Sequence, residues 1–196
     1  GRILVSTAAG KLFAYETKRF LPAPEFSKQV MGVASAYLRD RSGAFWITGS
    51  GGLVRFAGTT AQHLASGHFT GAAEDRYGRI WFSGSEGIFV HDHGRLTRLE
   101  MGKSKIPYAT RQILFDKKGN LWISTNQGIS RFNPKTKKFR VFGPEDGLKI
   151  TEFNSDAVFQ APNGEMFFGG VGGIVSFYPD SINEPESTRE PTPLLI

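Results

Sequence analysis

The chain has 196 residues, no cysteine, and a net charge of +6 from 24 basic and 18 acidic side chains. Without cysteine it has neither disulfides nor thiol chemistry, and no apolar run reaches the ~18 residues of a membrane-spanning helix. The densest basic run is Lys135–Lys138, in a turn after a strand. We therefore expect a basic solvated surface and no nucleic-acid partner.

Short apolar segments separated by glycine-containing turns predict an all-β chain. Five strand groups follow in order: Gly1–Leu21, Val33–Leu64, His68–Leu99, Ala109–Phe142 and Asn154–Phe177. The first group lacks its inner strand and the last lacks a clear outer strand. Ser181–Pro193 is rich in Pro, Glu, Ser and Thr, which predicts a linker, and the apolar Leu194–Ile196 could open another strand.

One repeat underlies these groups: Asp-x-x-Gly-x-x-Trp, with a second glycine turn six residues after the tryptophan. It occurs at Asp40–Gly52, Asp75–Gly87 and Asp116–Gly128, and a weaker copy at Asn163–Gly173 has Phe167 in place of tryptophan. The large aromatic residue recurs after 35, 41 and 45 residues, at positions 46, 81, 122 and 167. A period near forty with several short strands is typical of β-propeller blades.

The predicted fold is therefore an all-β propeller with about five blade motifs of four antiparallel strands, forming part of a larger propeller. We expect the blades to span residues 1–180. Residues 181–196 should form a linker and the start of a following domain.

Propellers bind ligands at the face where the inner strands begin, around the axis. Hydrogen-bond donors, acceptors and one aromatic ring occur at or near these positions, and they would suit a polar ligand such as an oligosaccharide. The same residues would equally serve to cap their strands. The candidate ligand-binding residues are Tyr37, His68, Thr110, Arg111, Asn154 and Asp156.

Other chemical motifs are better explained by structure. His91-Asp92-His93 offers two imidazoles, fewer than a metal site needs. The repeated aspartates provide one carboxylate per turn and are expected to cap those turns. Gly169–Gly173 lacks the lysine and the helix of a phosphate-binding loop. We predict no catalytic residue, no metal site and no cofactor.

The stretch Asp116–Phe132 resembles the two-component regulator propeller repeat, and Asp40–Phe56 and Asp75–Ile88 resemble it too. Residues around Asp146–Leu148 and Gly173–Pro179 are similar to that family's terminal blade. In the family, an immunoglobulin-like connecting domain follows this blade, and Pro191–Ile196 resembles its first residues.

The resemblance implies a non-catalytic, extracytoplasmic ligand-sensing module of a two-component or diguanylate cyclase receptor. It places the module on the periplasmic side of an inner-membrane receptor whose output domain is a histidine kinase or a cyclase. The implied partners are a small extracellular ligand, such as an oligosaccharide, and a second copy in a homodimer.

Two alternatives stay open at this stage. One is an enzyme similar to the streptogramin-lyase propellers, with His68 and a divalent metal at its centre. The other is a protein-interaction scaffold without a small ligand.

Overall fold

The computed structural model describes residues 3–7, 11–23, 32–58, 60–99 and 109–182. Within them, strands form five antiparallel sheets, in each of which neighbours in sequence are neighbours in space. Blade 1 contains β1 (Ile3–Ser6), β2 (Leu12–Glu16) and β3 (Arg19–Pro22). Blade 2 contains β4 (Ala34–Arg39), β5 (Phe45–Gly49), β6 (Gly52–Ala57) and β7 (Thr60–Ala65).

Blade 3 contains β8 (Phe69–Glu74), β9 (Ile80–Gly84), β10 (Gly87–Asp92) and β11 (Arg95–Arg98). Blade 4 contains β12 (Thr110–Phe115), β13 (Leu121–Thr125), β14 (Gly128–Phe132) and β15 (Phe139–Phe142). Blade 5 contains β16 (Phe153–Gln160), β17 (Met166–Gly170) and β18 (Gly173–Phe177).

These sheets confirm the predicted all-β propeller architecture. Blades 2, 3 and 4 have the expected four strands, whereas the described parts of blades 1 and 5 have three each. Two short 3-10 turns, Pro144–Asp146 and Pro179–Ser181, are the helical elements of the described residues. Neither is long or apolar enough to cross a membrane as a helix. Most of the predicted linker, residues 183–196, lies outside the described residues.

The fixed Asp-to-Trp spacing has a direct structural cause. In each full repeat the aspartate carboxylate accepts a hydrogen bond from the indole Nε1 of the tryptophan six residues later. The three N–O distances are 2.7 Å for Trp46, 3.0 Å for Trp81 and 2.9 Å for Trp122. The other carboxylate oxygen accepts a bond from the backbone N–H at the end of the turn. The predicted turn-capping role is confirmed, and the same carboxylate also fixes the buried tryptophan.

Blade 5 lacks both partners of this bond. Ala161 occupies the aspartate position, because Gly164 N–H donates to its carbonyl just as Gly119 N–H donates to that of Asp116. Phe167 occupies the tryptophan position, so no indole N–H is left without its acceptor.

The hydrophobic core is divided into four clusters, each shared by two consecutive blades. Each tryptophan lies at such an interface: Trp46 packs on Phe82 with 5.5 Å between ring centroids, Trp81 on Phe115 at 5.5 Å, and Trp122 on Phe177 at 4.8 Å. Among the described residues, no core cluster joins blade 5 to blade 1. The five blades therefore form an arc of consecutive interfaces.

The two ends of this arc present large apolar side chains to solvent. On blade 5, Ile174 is 73% exposed and Phe159 is 60% exposed, whereas the residues equivalent to Ile174 in blades 2, 3 and 4 are buried: Leu53, Ile88 and Ile129. On blade 1, Phe20 is 53% exposed. This agrees with the prediction that the blades are part of a larger propeller.

Candidate ligand-binding site

The inner strands β4, β8, β12 and β16 lie against one another at the centre of the arc. Each inner strand is irregular near its start, where its pairing with the second strand shifts register. The shifts fall between Ala34 and Ala36, Phe69 and Gly71, Thr110 and Gln112, and Phe153 and Val158. Such bulges redirect side chains away from the regular alternation of a strand. The starting ends of the inner strands can therefore present polar groups that a regular strand would hide.

A buried glutamine, Gln112, links three blades at these bulges. Its Nε2 donates to the Thr70 carbonyl of blade 3 at 2.6 Å and to Oδ1 of Asp156 in blade 5 at 3.2 Å. Thr70 in turn donates through Oγ1 to the Thr110 carbonyl at 3.2 Å. This network fixes the relative positions of polar groups from blades 3, 4 and 5.

Gly71 provides the space that this network requires. A Cβ atom at this position would lie 2.6 Å from Gln112 Oε1 and 2.6 Å from Ser83 Oγ, far inside van der Waals contact. Any larger residue would displace the amide of Gln112.

Asp156 is the most unusual backbone position of the group. It lies inside the longest bulge with a φ of 61°, a left-handed conformation that costs a non-glycine residue roughly 1 kcal/mol. Partial withdrawal of its carboxylate from water raises the pKa of Asp156, although the Gln112 hydrogen bond and the nearby His68 ring act in the opposite direction. The residue as a whole is exposed, so a ligand can reach the carboxylate.

Four of the six predicted residues contribute to this arrangement, Arg111 among them. Thr110 is buried, and its Oγ1 donates to the Gly84 carbonyl at 2.7 Å and accepts from Gly84 N–H at 3.1 Å. Asp156 and the exposed His68 are close enough to interact electrostatically. Together with Thr70, Arg111 and Gln112, these residues form what we call the inner-strand site.

Arg111 occupies the bulge between Thr110 and Gln112. Its Nε is enclosed by protein and has no hydrogen-bond partner. A buried guanidinium N–H without an acceptor is costly and needs an explanation, such as a bound water or ligand atom.

The remaining two predicted residues lie apart from the network. Asn154 is exposed, in the same bulge as Asp156. Tyr37 packs with the apolar cluster between blades 1 and 2 and stacks on Phe45 at 6.1 Å.

The central residue of this network, Gln112, and its partner Thr70 are not among the residues predicted from the sequence. The signal in the sequence was weak: a single amide within the otherwise apolar Gln112–Phe115 end of β12. Its importance depends on contacts with blades 3 and 5, across 42 and 44 residues of sequence.

The histidine motif does not form a site. His91 packs its ring edge-on against Trp46 at 4.8 Å, whereas His93 lies in a turn with a φ of 46° and pairs with Asp92 at 2.6 Å. The two imidazoles therefore lie in different surroundings, His91 against a buried tryptophan and His93 in an exposed turn. No group of three or more metal-ligating side chains occurs in the part of the chain that the structure describes.

Comparison with known proteins agrees with the predicted resemblance. Residues 106–127 match the sequence profile described as "two component regulator propeller". A histidine kinase, P4, of Formosa agariphila is 30% identical over 100 residues, which cover 50% of this chain and 7% of that protein. The resemblance to the two-component regulator propellers is therefore confirmed.

Solved structures show the same fold. The extracellular domains of two proteins assigned to hybrid two-component systems of B. thetaiotaomicron superpose on the chain with TM-scores of 0.73 and 0.76, each at 19% identity. They cover 97% and 93% of this chain, which in turn covers 31% and 29% of theirs. The chain thus spans less than a third of these extracellular domains.

Proposed function

We propose that the chain is a non-catalytic, ligand-sensing propeller module of an extracytoplasmic two-component receptor. The match to the two-component regulator propellers and the similarity to extracellular sensor domains support this proposal. The relative in Formosa agariphila is a histidine kinase, which favours a kinase over a cyclase as the output of the parent receptor. Membrane anchoring of that parent is part of the proposal.

The observation that carries the ligand-binding role is the pair of charged groups at the inner-strand site. Arg111 has an enclosed Nε–H without an acceptor, and Asp156 is held in a strained conformation with an accessible carboxylate. Strained residues and unsatisfied buried donors concentrate at functional sites.

A hydroxyl-rich ligand suits both side chains, because Arg111 is only partly buried and Asp156 is exposed, although the Arg111 Nε itself is enclosed by protein. A sugar hydroxyl can accept a hydrogen bond from the Arg111 guanidinium while another donates to the Asp156 carboxylate. His68, exposed beside Asp156, adds a ring against which the apolar face of a sugar can pack. We therefore propose a short oligosaccharide as the ligand class.

Blade 5 provides the route by which binding would reach the output domain. Asp156 lies in β16, the inner strand of this blade, and the chain leaves the blade after β18 at the turn Pro179–Ser181. That turn is tied to blade 4 by the ion pair of Lys118 and Asp180 at 3.4 Å. We propose that repacking of the Asp156 bulge shifts blade 5 and the linker that follows it.

A thermal-shift screen of the chain against short neutral and uronate-containing oligosaccharides tests the binding role. A ligand that binds the folded state at 100 times its Kd stabilises it by about 2.7 kcal/mol, which a melting curve resolves readily. We expect at least one oligosaccharide to raise the melting temperature.

Variants then locate the site. Arg111→Gln and Asp156→Asn should each weaken binding of that oligosaccharide at least about tenfold, the loss of one hydrogen bond to a charged group. Arg131→Gln is the matched control, because Arg131 belongs to the same blade on its third strand, away from the inner strands. If every oligosaccharide in the screen left the melting temperature unchanged, the sensing role for this ligand class would be wrong.

A further inference from the structure

A second group of cations lies at the opposite ends of the inner strands, at the Asp-x-x-Gly turns. The residue after each turn aspartate is basic, and it reaches the neighbouring blade. Arg41 faces Glu74 of blade 3, with its backbone N–H donating to Glu74 Oε2 at 3.0 Å and its Nε 3.9 Å from the same oxygen. This ion pair joins blades 2 and 3.

At the equivalent position between blades 3 and 4, the basic residue has no acidic side chain to pair with. Phe115 immediately precedes the turn aspartate of blade 4, just as Glu74 does in blade 3. Arg76, the counterpart of Arg41, instead lies over the glycine of the next turn: a Cβ on Gly119 would be 3.6 Å from the Arg76 guanidinium carbon. No carboxylate of the described residues pairs with Arg76.

Further cationic and aromatic groups surround Arg76. Tyr77 is 62% exposed, and the guanidinium carbons of Arg76 and Arg79 lie 5.0 Å and 5.4 Å from its ring centroid. A hydrogen bond from Arg76, together with the charges of Arg76 and Lys135, lowers the pKa of Tyr77. These residues line a surface cavity of about 190 Å³ with Phe115 and Gly119, which we call the turn cleft.

The charges in the turn cleft are unbalanced. The only carboxylate in its lining, Asp75, is buried and already accepts bonds from Arg79 Nε at 2.7 Å and Trp81 Nε1 at 3.0 Å. Arg76 and Lys135 therefore place two positive charges at the turn cleft, and no acidic side chain among the described residues forms an ion pair with either of them. Such an arrangement attracts an anion, and a guanidinium matches the geometry of an oxyanion.

The corresponding cleft between blades 4 and 5 is different. It has a volume of about 20 Å³, and its lining contains both Lys117 and Asp180, the latter paired with Lys118 at 3.4 Å. The excess of positive charge is thus specific to one of two related positions in the fold.

We infer that the turn cleft is a binding site for an oxyanion group, a carboxylate, sulfate or phosphate carried by a small ligand. Arg76 and Lys135 bind the oxyanion, and Tyr77 and Phe115 contact the ligand's adjoining carbon atoms. This site is separate from the inner-strand site and does not depend on the function proposed for it.

The test is a titration of the full chain with inorganic phosphate, sulfate and glucuronate, with glucose as the uncharged comparison. Backbone amide NMR shifts are followed at constant ionic strength. We expect saturable shifts at Tyr77, Gly119 and Lys135 with at least one oxyanion and none with glucose. Because phosphate, sulfate and glucuronate are separate probes, their relative affinities identify the preferred oxyanion.

Four variants distinguish a site from general attraction to a basic protein. Arg76→Gln and Lys135→Gln should each weaken binding at least about tenfold, whereas Lys117→Gln, at the position of Arg76 in the next repeat, should bind as the parent chain does. Arg111→Gln should also leave these shifts unchanged. Absence of saturable shifts with all three oxyanions would overturn the inference, as would an equal loss of binding in Lys117→Gln.

Discussion

The hydrogen bond between Asp116 and Trp122 gives the sharpest test of how the repeat is held together. Asp116 is 8% exposed, and its carboxylate accepts from Asn120 N at 2.8 Å, Asn120 Nδ2 at 2.8 Å and Trp122 Nε1 at 2.9 Å. In Asp116→Ala these donors lose their acceptor. At about 1–3 kcal/mol for each of the three unsatisfied buried donors, the free energy of unfolding should fall by roughly 3–9 kcal/mol.

Trp122→Phe removes only one donor from the carboxylate, together with part of the ring, and should cost about 1–3 kcal/mol. The double variant recreates the natural alanine and phenylalanine of blade 5, at Ala161 and Phe167. Since the shared bond is lost only once, the double variant should be more stable than the summed single losses predict, by about 1.5–3 kcal/mol.

Urea unfolding of the four chains measures this coupling directly, provided that the dependence on urea concentration stays the same. The matched control combines Asp116→Ala with Trp46→Phe, because Trp46 donates to Asp40 in another blade. We expect additive losses there, within about 0.5 kcal/mol. Additive losses in the Asp116 and Trp122 pair as well would refute the reasoning that this bond fixes the repeat.

Three further predictions concern pH dependence and association. Folding raises the pKa of Asp156 above its ordinary value of 3.8, so the folded state binds more protons than the unfolded state between these two pKa values. The free energy of unfolding should therefore decline as the pH rises through this window. Asp156→Asn should abolish the decline and raise the melting temperature at pH 7. Burial, and then the charge of Arg55, lower the pKa of His91, against weaker effects of Asp92 and Asp40. The melting temperature should therefore fall as the pH drops below 6.5, and His91→Gln should reduce the slope of melting temperature against pH. The exposed end of blade 5 should make the chain self-associate, and Ile174→Lys should weaken association at least about tenfold in sedimentation experiments; a concentration-independent monomer would contradict this.

The fold could be predicted because the repeat encodes it locally. Asp116, Gly119 and Trp122 interact within one turn and its flanking strand, so the pattern that they form in the sequence is the pattern of their contacts. The absence of the aspartate–tryptophan hydrogen bond from blade 5 follows from the sequence in the same way, because Ala161 and Phe167 occupy the two positions.

The candidate site could be predicted only in part. The structure places Thr110, Asp156 and His68, three of the predicted residues, near one another at the starts of the inner strands, and their ligand-binding role stays a prediction. Gln112 was not predicted because its hydrogen bonds join different blades, and no local sequence pattern indicates which strands become neighbours. The left-handed backbone of Asp156 depends on the bulge, which the repeat spacing does not reveal.

The turn cleft was not predicted from the sequence for a different reason. Arg76 follows its turn aspartate just as Arg41 and Lys117 follow theirs, so the sequence pattern does not distinguish it from them. Only the comparison of Phe115 with Glu74, one blade earlier, shows that Arg76 lacks the acidic partner that Arg41 has.

Binding of a polar ligand where the inner strands begin can be tested directly by NMR. The oligosaccharide selected by thermal shift is added to the ¹⁵N-labelled chain, and the signals that change are mapped onto the structure. We expect the side-chain amide of Gln112 and the backbone amides of Arg111 and Asp156 to change most. Changes confined to the Asp-x-x-Gly turns, or to the exposed end of blade 5, would show that the ligand binds elsewhere.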